Sequence, residues 1–259
     1  MSWEEFEKEA TDLLAEWNKP STSTLLFRGQ SDSSWRLETT LERYAPDSLR
    51  VENYYRTIHL VKYQIESLTP ERWDIPTPPD YDNWLETQED FGLWEMPSYE
   101  YMIYLRHHGF PSPLLDWSAS PYVAAFFAFN LATKSSHASI YAYLEHAGHG
   151  KLSSPISSTI HGRGPTVRSH RRHVLQQCEY TICTIKTDDR WNYSCHEVVF
   201  AQNTEGQDLL WKFNIPSTER LKVLRLLDRY NLNAFSLFGS EESLAETVAL
   251  RAFLFKKAR

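Results

Sequence analysis

Residues 114–129 read Leu-Leu-Asp-Trp-Ser-Ala-Ser-Pro-Tyr-Val-Ala-Ala-Phe-Phe-Ala-Phe. The apolar run that begins at Leu114 and stops at the serines has the length of a short buried strand. Pro121 stands where a first helical turn tolerates a missing N–H, and Ser120 before it suits a helix N-cap. The residues that follow, Tyr122 to Phe129, make a strongly apolar helix. Upstream, Leu25-Leu26-Phe27 is a second apolar run, expected to stop at Arg28-Gly29-Gln30 so that Arg28 sits where strand gives way to loop. Downstream, strands are expected at 138–144, 180–185, 197–200 and 209–215, and helices at 3–18, about 47–67, 99–108, 219–230 and about 240–257. Five prolines between Pro70 and Pro97 predict an irregular insertion over 70–98. Strands and helices are interspersed without a βαβ rhythm, and no linker or repeat divides the chain. The expected architecture is α+β, one domain over 1–259. It has mixed or antiparallel sheets flanked by helices, an N-terminal helix within 1–20 and C-terminal helices over 217–259.

Composition narrows the class. With 41% hydrophobic and 24% charged residues, the 259-residue chain has the make-up of a folded globular protein. It contains no run of about 20 apolar residues. Its acidic start, Ser2-Trp3-Glu4-Glu5, does not resemble a secretory leader. A cytoplasmic protein without membrane contact is expected. Cys178, Cys183 and Cys195 form no CxxC and no Cys/His run with zinc-ligand spacing, so no metal is expected. The formal charge of −7 conceals an uneven distribution, because residues 146–178 contain no Asp or Glu. That stretch holds Lys151, Arg163, Arg168, Arg171 and Arg172 with His146, His149, His161, His170 and His173, either a solvated loop or a site for an anion.

Three blocks resemble the FRG domain family, named for its Phe-Arg-Gly tripeptide. They are Leu26-Phe27-Arg28-Gly29-Gln30 with Trp35, Leu37, Leu41 and Arg43; residues 105–121, Leu-Arg-His-His-Gly-Phe-Pro-Ser-Pro-Leu-Leu-Asp-Trp-Ser-Ala-Ser-Pro; and Arg172, Gln176 and Tyr180. His108, Pro113 and Cys178 depart from the family pattern. The order of motifs is also similar to the Arg, Ser, Glu layout of ADP-ribosyltransferases, in Arg28-Gly29, Trp117-Ser118-Ala119-Ser120 and Gln177-Cys178-Glu179. That resemblance implies an ADP-ribosyltransferase-like fold and NAD+ as substrate. It further implies a toxin or anti-phage effector that modifies a macromolecule, RNA or DNA ahead of protein, and that an antitoxin would restrain.

Under this reading Arg28 grips the pyrophosphate, since a guanidinium fork makes two parallel bonds. Gly29 lets the backbone approach a nicotinamide. Glu179 stabilises the oxocarbenium charge of the ribose, with Glu197 in reserve, and Gln177 touches the acceptor. Ser118 orients the ribose, while Gln30, His107, Ser120 and Gln176 complete the cofactor contacts. Structural alternatives stand beside these: Ser120 as a helix cap, Asp116 as a buried partner of Arg28, His107 and His108 as helix-end groups. Two other functions remain open, a nucleotide or nucleic-acid binding module, and a metal-independent nuclease built on His107, Asp116 and Arg172.

Overall fold

The computed structural model describes residues 1–47, 49–91, 96–148, 150–164 and 171–256. In chain order the elements are α1 (Trp3–Trp17), β1 (Leu26–Gln30), α2 (Thr40–Tyr44), α3 (Val51–Leu68), α4 (Pro78–Glu86), α5 (Tyr99–His107), β2 (Leu115–Ser118), α6 (Pro121–Asn130), β3 (His137–His146) and β4 (Thr159–Arg163). They continue with α7 (Arg171–Leu175), β5 (Cys178–Thr187), β6 (Arg190–Tyr193), α8 (His196–Gln202), β7 (Gln207–Pro216), α9 (Arg220–Arg229), α10 (Ala234–Phe238) and α11 (Glu241–Ala249), followed by a π-helical turn, Leu250–Phe255. Among the described residues, seven strands make one sheet in the order β4-β5-β2-β1-β3-β7, with β6 added against β5, and every pairing is antiparallel. The sheet is therefore neither mixed nor divided.

The sheet curls until its flanks meet. Glu145 near the end of β3 accepts a hydrogen bond from the Gly162 N–H of β4 at 2.6 Å. Leu26, Leu115, Trp117, Tyr141, Tyr143 and Ile160 fill the inside of the curl, joined by Val199 from α8. On the outer face, α6 lies across β1 and β3 and is covered by α1 and α9, with Phe6, Phe27, Phe126, Ile140 and Leu227 at the centre. Helices α3, α4 and α5 pack over β5 through Tyr55, Tyr81, Tyr101 and Tyr180. Helix α6 is buried all round, as its sequence demands, and Ser120 caps it by accepting from the Val123 N–H at 3.3 Å.

Several expectations change. Strand β1 runs through Arg28 and Gly29 to Gln30, because β3 pairs with it residue by residue from Leu26↔Tyr143 to Gln30↔Ser139. The proline-rich insertion contains a helix, α4, because Pro78 and Pro79 occupy its first turn behind the Thr77 cap and start it where they would break an interior. Residues 197–200 are helical where a strand was expected. His196 and Val199 are buried three apart while Val198 is 50% exposed, a helical spacing that a four-residue apolar run does not reveal. Strands β4 and β6 were missed, being short and without a strong alternation. The C-terminal segment is α10, α11 and the π turn, and Lys257 lies outside the described residues. Among the described residues no helix is long and apolar enough to cross a membrane.

Candidate functional site

Strands β1 and β2 are bridged only at Phe27↔Ser118, then part, and the gap between them is the site. A cavity of about 210 Å3 opens there, its wall formed by Arg28, Gly29, Gln30 and Ser31 of the β1 edge, Asp116, Trp117 and Ser118 of β2, and Gln176 and Cys178 leading into β5. Trp35 and Arg43 stand in the same wall, and Ala124 and Phe127 of α6 close it from behind.

Arg28 reaches into the gap, donating to the Asp116 carbonyl at 2.6 Å and pairing with the Asp116 carboxylate at 3.1 Å. Arg106 on α5 holds the same carboxylate from the other side. Burial pushes the Asp116 carboxyl up, but Arg106 and Arg28 outweigh it and hold the group well below the usual carboxylate range. Burial is also the largest influence on Arg28 and lowers its pKa; Asp116 opposes that, and the nearby charges of Arg106 and Arg43 reinforce it. One carboxylate thus sits among three guanidinium groups, and the gap carries surplus positive charge. Among the described residues, the buried Arg28 Nε and Gln30 Oε1 have no hydrogen-bond partner, so one donor and one acceptor in this wall remain open.

The other expected site residues divide. Ser118 Oγ donates to the Gln176 carbonyl at 2.8 Å and accepts from the Ser120 N–H at 3.1 Å, tying β2 to the turn before β5. Ser120 is the cap of α6. Gln176 donates to the Leu237 carbonyl at 3.1 Å and is buried. Gln177 is exposed and bends the chain with φ of 48°, which the tight entry into β5 requires. Gly29 faces α6, which occupies the place of its missing side chain. His107 Nε2 meets the Tyr180 hydroxyl at 2.8 Å, and the His107 carbonyl accepts from Arg172 at 3.1 Å. Asp116 is held between Arg28 and Arg106, while Arg172 is tied to the end of α5 through the His107 carbonyl.

Glu179 does not line the cavity. It pairs with Trp117 in register, one strand beyond β2, and its carboxyl is pushed up by burial and by the charge of Glu145. Glu197 is engaged elsewhere, accepting from Arg36 Nε at 2.8 Å and from the Leu37 N–H at 3.0 Å. Among the described residues of the basic stretch, several are engaged within the protein. Lys151 pairs with Asp208 at 2.5 Å, Arg163 donates to the Phe91 carbonyl at 2.5 Å, and His161 and His173 are buried. Arg171 is exposed, while His149, Arg168 and His170 lie outside the described residues, as does Trp94. Sequence reasoning missed Arg106 as the second partner of Asp116, although the helix that carries it belongs to the same 105–121 block.

Behind the gap, His196 Nε2 meets Thr181 Oγ1 at 2.9 Å, and burial with the Arg28 charge holds the imidazole down at about 3. Burial likewise lowers His161 to about 4. Unfolded imidazoles take a proton below about 6.5, which these folded ones refuse, so stability is full above that pH and falls as pH drops towards 3. The expected slope is up to about 1.4 kcal/mol per pH unit for each group. Denaturant melts at descending pH measure it, and His196→Gln is expected to flatten the curve; equal acid sensitivity in that variant would exclude His196 as a cause.

Residues 23–137 match the family model of the FRG domain. The match spans β1 and the 105–121 block and ends at the first residue of β3; the third block, around Arg172 to Tyr180, lies beyond it. No curated protein and no solved structure matches the chain.

Proposed function

We propose that the chain binds NAD+ in the gap between β1 and β2 and transfers its ADP-ribose to a macromolecule, as a toxin or anti-phage effector does. The observation that carries this reading is the positively charged cavity that Arg28 enters, where a pyrophosphate meets a fixed guanidinium. Trp35, 44% exposed in the wall, offers a face for a ring. Arg28, Ser118 and Glu179 lie on the adjacent strands β1, β2 and β5 in the order of the ADP-ribosyltransferase motifs. Arg28 and Glu179 stand two strands apart, about 10 Å, a span within the length of a dinucleotide. Glu179 would stabilise the charge that develops on the ribose as the glycosidic bond to nicotinamide breaks.

A second reading, a nucleotide-binding module without turnover, is favoured by the position of Glu179 outside the cavity wall. NAD+ labelled in its adenylate half, incubated with the protein and with separated RNA, DNA and protein fractions, distinguishes the two. Transfer predicts label in one fraction and free nicotinamide in solution. Arg28→Lys, which keeps the charge and loses the fork, is expected to weaken NAD+ binding about 10- to 100-fold. Glu179→Gln is expected to abolish transfer while binding persists. Binding with no nicotinamide release would leave the module, and no binding at all would overturn both readings.

A further inference from the structure

Three donors far apart in the sequence meet beside this cavity. His107 is the last residue of α5, His173 lies in α7 and Cys178 opens β5; one ring nitrogen of each histidine and the Cys178 Sγ all lie within 4.8 Å of one another. The bend at Gln177 brings His173 and Cys178 together, and β5 then carries Tyr180 to the same face. The Tyr180 hydroxyl stands 2.8 Å from His107 Nε2 and 3.2 Å from His173 Nδ1, and the His173 ring stacks on the phenol with planes 10° apart. The Cys178 thiol points to Gln176 Oε1 at 3.7 Å. His173, Cys178 and Tyr180 are buried.

We propose that His107, His173 and Cys178 form a zinc site, with the Tyr180 oxygen as fourth donor, that fastens α5, α7 and β5 together beside the cavity. Two imidazoles and a sulfur make the borderline-soft set that zinc takes; His173 and Cys178 are buried and His107 is half-buried. In the absence of an ion the phenol can donate to one ring nitrogen and accept from the other; an ion would instead engage both nitrogen lone pairs at once. Bonds of about 2.0–2.3 Å place tetrahedral donors about 3.3–3.8 Å apart, so the site closes by side-chain shifts on the order of 1 Å. On binding, the sulfur–hydrogen bond of Cys178 breaks as the sulfur–zinc bond forms. The thiol proton leaves to the buffer, the Tyr180 phenol binds through an oxygen lone pair and keeps its proton, and both imidazoles bind neutral. No electron changes hands. Four donors and no open position make the site structural, distinct from the chemistry proposed for the gap and independent of it.

The test uses the full chain, stripped with chelator and titrated with cobalt(II) and then zinc(II). One equivalent of cobalt is expected to give the thiolate-to-metal absorption, which one equivalent of zinc abolishes, with one proton released per ion and a raised melting temperature. Cys178→Ser is expected to lose the absorption and weaken zinc binding by about 100-fold or more, while Cys183→Ser and Cys195→Ser behave as the parent. Should Cys178→Ser fail to fold, alkylation of the parent mapped by mass spectrometry takes its place, with zinc protecting Cys178. Failure of the folded parent to take up one equivalent, absorption that survives Cys178→Ser, or a Cys178 unprotected by zinc would each overturn the proposal.

Discussion

Gly29→Ala is expected to destabilise the protein by about 3 kcal/mol, the upper end of what overpacking a core costs. Helix α6 crosses β1 so closely that an added Cβ would fall on the Ala124 carbonyl oxygen and within 2.5 Å of the Ala128 nitrogen. Both are backbone atoms of a helix packed against the sheet on one side and against α1 and α9 on the other, and neither can rotate aside. Relief requires α6 to move as a body and the core around Phe126 and Ile140 to repack. Trimming Ala124 or Ala128 to glycine is therefore not expected to rescue the variant, because the obstruction is main chain. Urea melts of the parent, the variant and the two double variants read this directly; since a domain has only about 5–15 kcal/mol in hand, the midpoint should fall visibly. A loss below 1 kcal/mol, or rescue by Ala128→Gly, would show that α6 is free to withdraw from β1.

The same tripeptide explains why the sequence conveyed a location better than a set of roles. Phe27, Arg28 and Gly29 alternate along one strand: Phe27 enters the core beneath α6, Arg28 enters the gap towards β2, and Gly29 admits the helix. The apolar run of β1 and the capped apolar helix α6 were legible because each rests on local chemistry, an apolar run and a Ser-Pro start, whereas Arg28 was expected at the end of the strand and lies within it. Gly29 was read towards a ligand because a glycine in a strand signals close approach without saying of what. Ser118 and Gln176 were read as cofactor contacts because the partners that engage them come from distant segments. The antiparallel character of the sheet, its curl through Glu145 and Gly162, and the meeting of His107, His173 and Cys178 are properties of register and closure, which no window of sequence contains. Residues 197–200 failed for the opposite reason, a local pattern common to strand and helix that the contacts of α8 resolved.

Asp116→Asn is expected to cost about 2–3 kcal/mol, and Arg28→Ala distinctly less. Removing the carboxylate charge leaves Arg28 and Arg106 facing one another across a partly buried gap, with Arg43 adding to the repulsion. A fully sealed pair broken in this way costs about 3–5 kcal/mol, but the Asp116 side chain is 36% exposed and solvent screening reduces the figure. Removing Arg28 leaves the carboxylate with Arg106, so no buried charge is orphaned, and the chain should lose about 1 kcal/mol. In the double variant Arg106 no longer faces Arg28, so the two losses should fall short of adding by about 1–2 kcal/mol in a double-mutant cycle. The pH dependence has a definite sign. The folded-state pKa of Asp116 lies below its unfolded value of about 3.9, so the carboxylate contributes fully above that pH and progressively less as acid approaches the folded value. The stability that Asp116 contributes at pH 7 should therefore shrink as pH falls below about 4. Additivity within about 0.5 kcal/mol at pH 7 would mean that Arg28 is anchored independently of Asp116. A coupling of the expected size would show that Asp116, itself held by Arg106, fixes the Arg28 guanidinium in the wall of the gap.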